Sequence, residues 1–356
     1  MGLAASEAVY RSRETLADFF HLDNPANVVF VQNCTMALNI VIKGMLENGG
    51  RMVVSDLEHN AVMRPLHGLS PDSPVYDVAR VVPGEPAATV AAFERCVTPQ
   101  TRAIVCMHAS NVFGTVSDIE EIGKICSENG LKFIVDSAQS AGTIPISMKK
   151  CHIDALCFTG HKGLYGPQGI GGFIITDDMA EKTEPLISGG TGSQSDMETV
   201  PDFMPDRFEA GTLNIPGIYG LREGLKFINE TGIKTIADKE LLLTKLFIES
   251  IEQIPNYKII GSKTVKNRTA TVSVTANTDM ANAAFILEKQ FGIMTRVGMH
   301  CAPNAHKVMG TFPSGTIRFS FGFFNTEEEI MYAVEALKSD IMLSEIQNRN
   351  CYRQNT

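Results

Sequence analysis

The 356-residue chain has no run of lysine or arginine, no CxxC pair, no Walker A pattern and no apolar stretch long enough to cross a bilayer. Each absence removes a class of protein. With a net charge of −9 and no basic run, neither nucleic acid nor an anionic membrane is an expected partner. The apolar runs are short and broken by charge, as in Ile40 to Glu47, so no transmembrane helix is expected. The opening residues lack a basic segment followed by an apolar core, so no signal peptide is read there and a cytoplasmic location is expected. The eight cysteines (34, 96, 106, 126, 151, 157, 301 and 351) therefore read as free thiols. Cys151, His152, Cys157 and His161 fit no closed tetrahedral spacing, and no metal is expected. Glycines 166, 169 and 171 precede a strand instead of opening a helix, which excludes a dinucleotide fingerprint. What remains is ordinary globular composition, 44% hydrophobic and 20% charged, and a length suggesting two domains.

The most informative stretch runs from Ser140 to Thr176. An apolar run, Ile153 to Phe158, delivers Lys162 into the turn Thr159-Gly160-His161-Lys162-Gly163, and a glycine-rich loop leads to a second apolar run at Phe173 to Ile175. Lys162 is thus expected where two strands meet, away from an open surface. A lysine in a closed site loses its proton more readily and becomes a nucleophilic amine. A second apolar strand, Phe133 to Val135, ends on Asp136. Alone, a loop lysine is usually solvated and an aspartate after a strand is usually a cap or turn residue. Together, a reactive lysine and a strand-end aspartate are what a pyridoxal phosphate site requires, the lysine forming the Schiff base and the aspartate holding the pyridine nitrogen protonated.

From about residue 27 to 176 strands and helices alternate, which implies a mostly parallel sheet with helices on both faces. Asn27 to Gln32 reads as a strand, and the turn at Asn33-Cys34-Thr35 opens a helix read over Met36 to Leu46, a ready anion site if it is more than an N-cap. Arg51 to Ser55 is a strand followed by Glu58-His59-Asn60, and Thr101 to His108 is a strand followed by Asn111. His59 is either a satisfied loop residue or a ring lying over an aromatic cofactor. Each strand thus ends on a polar group: Thr35, His59, Asn111, Asp136, Lys162. Ligands of such sheets bind beyond the carboxyl ends of the strands, so the five clusters point to one shared site. Residues 184–205 read as an irregular loop. After it come helices at Ile218 to Asn229 and Ile236 to Ile254, strands at Thr269 to Ala276, Ile293 to Arg296 and Thr316 to Phe321, and helices at Met280 to Gln290 and Thr326 to Leu337. The expected architecture is α/β: residues 1–21 a helix packing with the smaller domain, 22–235 a large cofactor-binding domain, 236–340 a smaller α+β domain, and 341–356 a polar tail.

With these residues laid out, the chain resembles the class V, fold-type I pyridoxal phosphate enzymes, and among them the cysteine desulfurase and selenocysteine lyase group. The matching pieces are Glu58-His59-Asn60, HASNVFGTV at 108–116, VDSAQ at 135–139, TGHKGLYGPQGIG at 159–171, RFEAGTLN at 207–214, TRVGMHCAP at 295–303 and TIRFSFGFFNT at 316–326. The resemblance implies a fold-type I transferase in which Lys162 is the Schiff-base lysine, His59 stacks on the pyridine ring, Asp136 pairs with the ring nitrogen and Gln139 bonds the phenolic oxygen. It gives the phosphate to Thr35, the backbone at Met36, Thr159 and His161. It puts Asn111 near the phenolate and substrate, Thr212 on the phosphate of a neighbouring subunit in a homodimer with shared sites, and Arg318 on the substrate carboxylate. Cys301, in the turn from Gly298 to Pro303, becomes the nucleophile that takes sulfur from L-cysteine as a persulfide, leaving L-alanine. His300 beside it is a candidate for setting the thiol's pKa. A short cysteine loop of this kind implies transfer of sulfur to a partner protein, as in iron–sulfur cluster assembly.

Two departures stand out. The family's extended opening segment, of the type Tyr-Leu-Asp-Asn-Ala-Ala-Thr, is not in this sequence, which begins at the first helix. Cys34 and Met36 stand where the phosphate turn often carries threonine and glutamate. The competing readings are a selenocysteine lyase, a class V aminotransferase or β-lyase that has no use for Cys301, and a cofactor-binding protein impaired in catalysis by the absent segment.

Overall fold

The computed structural model describes residues 2–47 and 49–342, so the expected polar tail lies, from residue 343, outside the described residues. The chain divides into two compact units. Unit 1 holds the chain up to Val81, Pro86–His108 and Ser117–Lys234; unit 2 holds Val82–Glu85, Ala109–Val116 and the chain from Thr235 onward.

Unit 1 contains, in order, α1 (Leu3–Phe19), β1 (Val28–Val31), α2 (Cys34–Leu46), β2 (Arg51–Ser55), α3 (Asn60–Leu69), β3 (Tyr76–Ala79), α4 (Pro86–Cys96), β4 (Thr101–Met107), α5 (Ile119–Glu128), β5 (Lys132–Asp136), β6 (Ala155–Thr159), β7 (Gly171–Ile175), α6 (Asp177–Glu181) and α7 (Ile215–Thr231). The sheet runs β1-β7-β6-β5-β4-β2-β3. The pairs from β3 through β6 are parallel, and β7 and β1 are added antiparallel. Every residue of β6 and β7 is buried, as expected for strands covered on both faces, whose sequences read as continuous apolar runs. α5 shows how local chemistry sets the boundaries: Asp118 Oδ1 accepts the Glu121 N–H at 3.2 Å, Ile119, Ile122 and Ile125 face the core, and Gly130 at φ +64 follows its end.

The first helix was expected with the smaller domain, and here the structure differs. α1 lies in unit 1 and packs on α7. The cause is Arg13, which is buried, donates to Val28 O, and makes a bidentate pair with Glu209 at 2.8 and 2.5 Å. Glu209 Oε1 also accepts the Phe30 N–H at 2.6 Å, so one carboxylate ties α1, β1 and the segment before α7 together.

Unit 2 contains α8 (Ile233–Ile251, its first two residues in unit 1), β8 (Tyr257–Ile260), β9 (Thr271–Ala276), α9 (Met280–Phe291), β10 (Arg296–Gly298), α10 (Pro303–Val308), β11 (Thr316–Ser320) and α11 (Glu327–Lys338). Its sheet is antiparallel, β10-β11-β9-β8, with a core of its own that includes Phe247, Val272, Leu287, Ile317 and Leu337. Residues 109–116 join this unit because their backbone is bonded into it: Val116 N donates to Asn267 O at 3.0 Å, Thr269 N to Gly114 O at 2.8 Å, and Ser273 Oγ to Val112 O at 2.6 Å.

Candidate active site

In unit 1 the parallel strands end around one buried carboxylate. Asp136, the last residue of β5, is 5% exposed. Its Oδ1 accepts the Ala138 N–H at 2.9 Å and the Cys34 thiol at 3.4 Å, and its Oδ2 has no partner among the described residues. Cys34 opens α2, which starts here because Asn33 is fully extended and its Oδ1 accepts the Met36 N–H at 3.0 Å. The Met36 N–H, expected to meet a phosphate, has Asn33 Oδ1 as its acceptor in this structure. The N–H groups of Cys34 and Thr35, in the first turn, have no intrahelical acceptor, and Thr35 is exposed. A Cβ on Gly171 would lie 2.9 Å from Asn33 Cα, so only glycine lets β7 run this close to the turn.

Lys162 follows β6 in a loop tied by Gly160 N to Ile170 O at 2.9 Å and Gly166 N to Gly160 O at 2.8 Å. A Cβ on Gly142 would lie 1.9 Å from Gly163 O, and one on Gly163 would lie 2.5 Å from Ala141 O. The loops after β5 and β6 therefore touch backbone to backbone, which fixes Lys162 relative to Asp136. The side chain of Lys162 is exposed, against the expectation of a covered lysine, because the turn carries it beyond the end of β6. Its charge reaches Cys34, His59 and His161.

His59 caps α3, its Nδ1 accepting the Ala61 N–H at 3.0 Å, which leaves the ring proton on Nε2. Burial, with Lys162 and Arg64, holds its pKa below the usual range against the pull of Asp136. Burial and Lys162 likewise lower His161, whose Nδ1 is 3.0 Å from the buried Thr159 hydroxyl. Gln139 is half-buried, and Thr212 is exposed after Gly211 at φ +95. Glu58 immediately precedes His59. It is 1% exposed, its Oε1 accepts from Ser55 Oγ at 2.6 Å and Met107 N at 2.8 Å, its Oε2 is buried without a partner, and burial raises its pKa to about 8.

Unit 2 gathers the other residues singled out. Asn111 Nδ2 donates to His300 O at 2.6 Å, and Arg318 Nη1 donates to Asn111 O at 2.9 Å. Asn111 Oδ1 and Arg318 Nε are buried without partners. Arg318 feels the Cys301 thiol and pairs across the strands with Arg296, and no acid forms an ion pair with it among the described residues. Cys301 is exposed, and it and His300 hold φ of +57 and +49, a left-handed pair that costs non-glycine residues about 1–2 kcal/mol each. His300 does not supply positive charge to the thiol. Burial, Arg318 and His306 press its pKa down to about 3, and its Nε2 is 3.0 Å from the Thr316 hydroxyl, which donates to Ser273 Oγ at 3.1 Å. Thus Thr35, His59, Asp136, Gln139, Thr159, His161, Lys162 and Thr212 belong to unit 1, and Asn111, Cys301 and Arg318 to unit 2. Arg296 was read only as the end of a strand and as part of the 295–303 match, with no role of its own.

A lysine loop locked to an aspartate loop at the ends of parallel strands is the frame that the aminotransferase class-V family model matches over residues 1–332, and the chain belongs to that family. Its relatives narrow the class. A probable cysteine desulfurase of Methanothermobacter thermautotrophicus is 33% identical over 94% of this chain and 84% of its own length, and one of Pyrococcus abyssi is 32% identical over 92% and 81%. The apo structure of a cysteine desulfurase from Thermococcus onnurineus NA1 superposes with a TM-score of 0.86 at 30% identity, covering 94% of this chain and 84% of that one. Among the described residues no helix is long and apolar enough to cross a membrane.

Proposed function

We propose that this chain is a pyridoxal 5'-phosphate-dependent cysteine desulfurase that converts L-cysteine to L-alanine and carries the sulfur on Cys301. The observation that carries the reading is the pairing in unit 2 of an exposed thiol with an arginine that has no acid partner among the described residues and a buried free Nε. An arginine left in that state is suited to a carboxylate ligand, and the thiol beside it has no use in plain transamination.

The free groups of unit 1 fit the cofactor. Asp136 Oδ2 is the open acceptor a protonated ring nitrogen needs, and the first turn of α2, with Thr35, Thr159 and His161, offers donors for a phosphate. Lys162 is the amine for the aldehyde carbon, Gln139 a donor for the phenolic oxygen, and His59, held neutral, a ring to lie against the pyridine. When bound, the cofactor supplies an electron sink for the substrate's α-carbon. Arg318 and the Asn111 carboxamide oxygen hold the amino acid. Lys162, as a free amine, takes the α-proton. Cys301 Sγ, as thiolate, bonds to the substrate sulfur while the substrate's Cβ–S bond breaks; the electron pair of that bond stays with the carbon skeleton, which takes up protons and leaves as L-alanine. The persulfide then goes to an acceptor protein or, with a reductant, leaves as sulfide. Thr212, exposed beyond Gly211, serves the phosphate of a second copy in a homodimer.

The test is alanine and sulfide release from L-cysteine with reductant, wild type beside Cys301→Ala. Both products from the wild type and neither from the variant is the expected result. Quantitative sulfide from Cys301→Ala, or a keto acid without sulfide from the wild type, overturns the reading.

A further inference from the structure

The thiol of Cys34 stands at a position the family often fills with threonine, and although the residue packs in the apolar core of unit 1, its sulfur reaches a carboxylate. It donates to Asp136 Oδ1 at 3.4 Å, from the first residue of α2, where Cys34 is 6% and Asp136 5% exposed. The same oxygen accepts the Ala138 N–H at 2.9 Å. Both available donors thus fall on one carboxylate oxygen and leave Oδ2 open. We infer that Cys34 is a positioning residue for the reaction: its S–H holds the Asp136 carboxylate in the rotation that presents Oδ2, and draws density from the carboxylate so that the negative field on the cofactor ring is moderated. The inference deepens the desulfurase reading in so far as it rests on a cofactor held by Asp136.

The surroundings make a single thiol matter. The ionisable groups that feel Asp136 are Cys34 on α2, Glu58 and His59 before α3, Cys106 on β4 and Cys157 on β6. Burial biases each of them toward its neutral form, and Lys162 is the cation that Cys34 and His59 both feel. A carboxylate buried in a low-dielectric setting is governed by the dipoles that touch it, and the S–H is one of the two on Oδ1. A hydroxyl in the same place is a stronger donor than a thiol; a methyl group donates nothing.

Two readouts test this, neither of them turnover. In the cofactor-free protein, the infrared S–H stretching band that vanishes in Cys34→Ser is expected at the lowered frequency of a thiol bonded to a carboxylate, and to move up in Asp136→Asn. In the cofactor-loaded protein, the midpoint of the absorbance titration of the bound cofactor is expected to rise by about half a pH unit in Cys34→Ala, the scale of one weak hydrogen bond to a charged group, and to return to or fall below the wild-type midpoint in Cys34→Ser. An S–H band that ignores Asp136→Asn, or Ala and Ser variants that both titrate at the wild-type midpoint, overturns the inference. Since neither readout involves L-cysteine, the desulfurase reading can fail with this inference intact, and normal sulfide release with an unmoved band sinks this inference alone.

Discussion

The two units keep their charges in opposite ways. Unit 1 is arranged around an anion, Asp136, with half of its carboxylate bonded and its ionisable neighbours biased to neutrality by burial. Unit 2 is arranged around cations. Arg318 faces Arg296 across β10 and β11, and His300 is kept neutral by burial and by Arg318 itself. A fixed anion suits a cationic group that stays; a like-charged pair of arginines, costly when empty, suits an anion that comes and goes. On the proposed function, the resident cofactor goes to unit 1 and the visiting substrate to unit 2.

The largest effect should come from emptying unit 1 of its amine. Lys162→Ala is expected to cut alanine release by about 10³-fold or more, while alkylation of the exposed Cys301 proceeds as in the wild type. If the thiol's reactivity falls equally, the separation of roles is wrong. Next comes the structural tie of unit 1. Burial raises the Glu209 pKa against the pull of Arg13, so Arg13→Ala leaves a buried carboxyl with its partner gone; the expected cost is about 3–5 kcal/mol in urea unfolding. Arg318→Lys should raise KM for L-cysteine about tenfold or more, the worth of a bidentate charged contact, with cofactor absorbance unchanged. A kcat effect without a KM effect would remove Arg318 from substrate binding.

Both units should loosen in acid, and unit 1 should loosen in alkali as well. His300, with an ordinary pKa of 6.5, folds to about 3, so the unfolded chain binds the proton first, and unit 2 loses stability as pH falls from about 6.5 toward 3. His108 in unit 1, at about 4, acts in the same direction. Glu58 does the reverse: raised from 4.5 to about 8, it keeps its proton when folded, and unit 1 loses stability as pH rises through that window. Hydrogen exchange followed by mass spectrometry is expected to show alkaline loosening of unit 1 that Glu58→Gln removes, and acid loosening of unit 2 that His300→Gln reduces. The smallest effect is local: Thr326→Ala, which removes the capping box that Thr326 forms with Glu329 at the start of α11, should cost about 1 kcal/mol.

The same contrast explains what the sequence made legible. β2 and the ends of β5 and β6 follow from continuous apolar runs, and with them the places of Asp136 and Lys162. α3 went unread because Pro65 and Gly68 lie inside it, and β3 because it is a short, half-exposed edge strand after Pro74. β8 and α10 are too brief to show a period. β10 was read three residues early, at Ile293, because the strand itself is only three residues long and holds a single apolar residue, Val297. Strand-end logic grouped Asn111 with the lysine set, but backbone bonds to Asn267 and Thr269 carry its segment into unit 2, and such long-range pairing leaves no local mark. The engaged Met36 N–H and the neutral His300 were invisible for a related reason: both depend on what a neighbour has already taken.

The contact between Gly142 and Gly163 has a mechanical consequence. Side chains normally act as cushions, absorbing small displacements by changing rotamer. Here two main chains meet bare, with Gly163 O where the Gly142 side chain would be. A shift of one loop is therefore handed to the other undiminished, and the aspartate and the lysine keep their spacing like the jaws of a locked caliper.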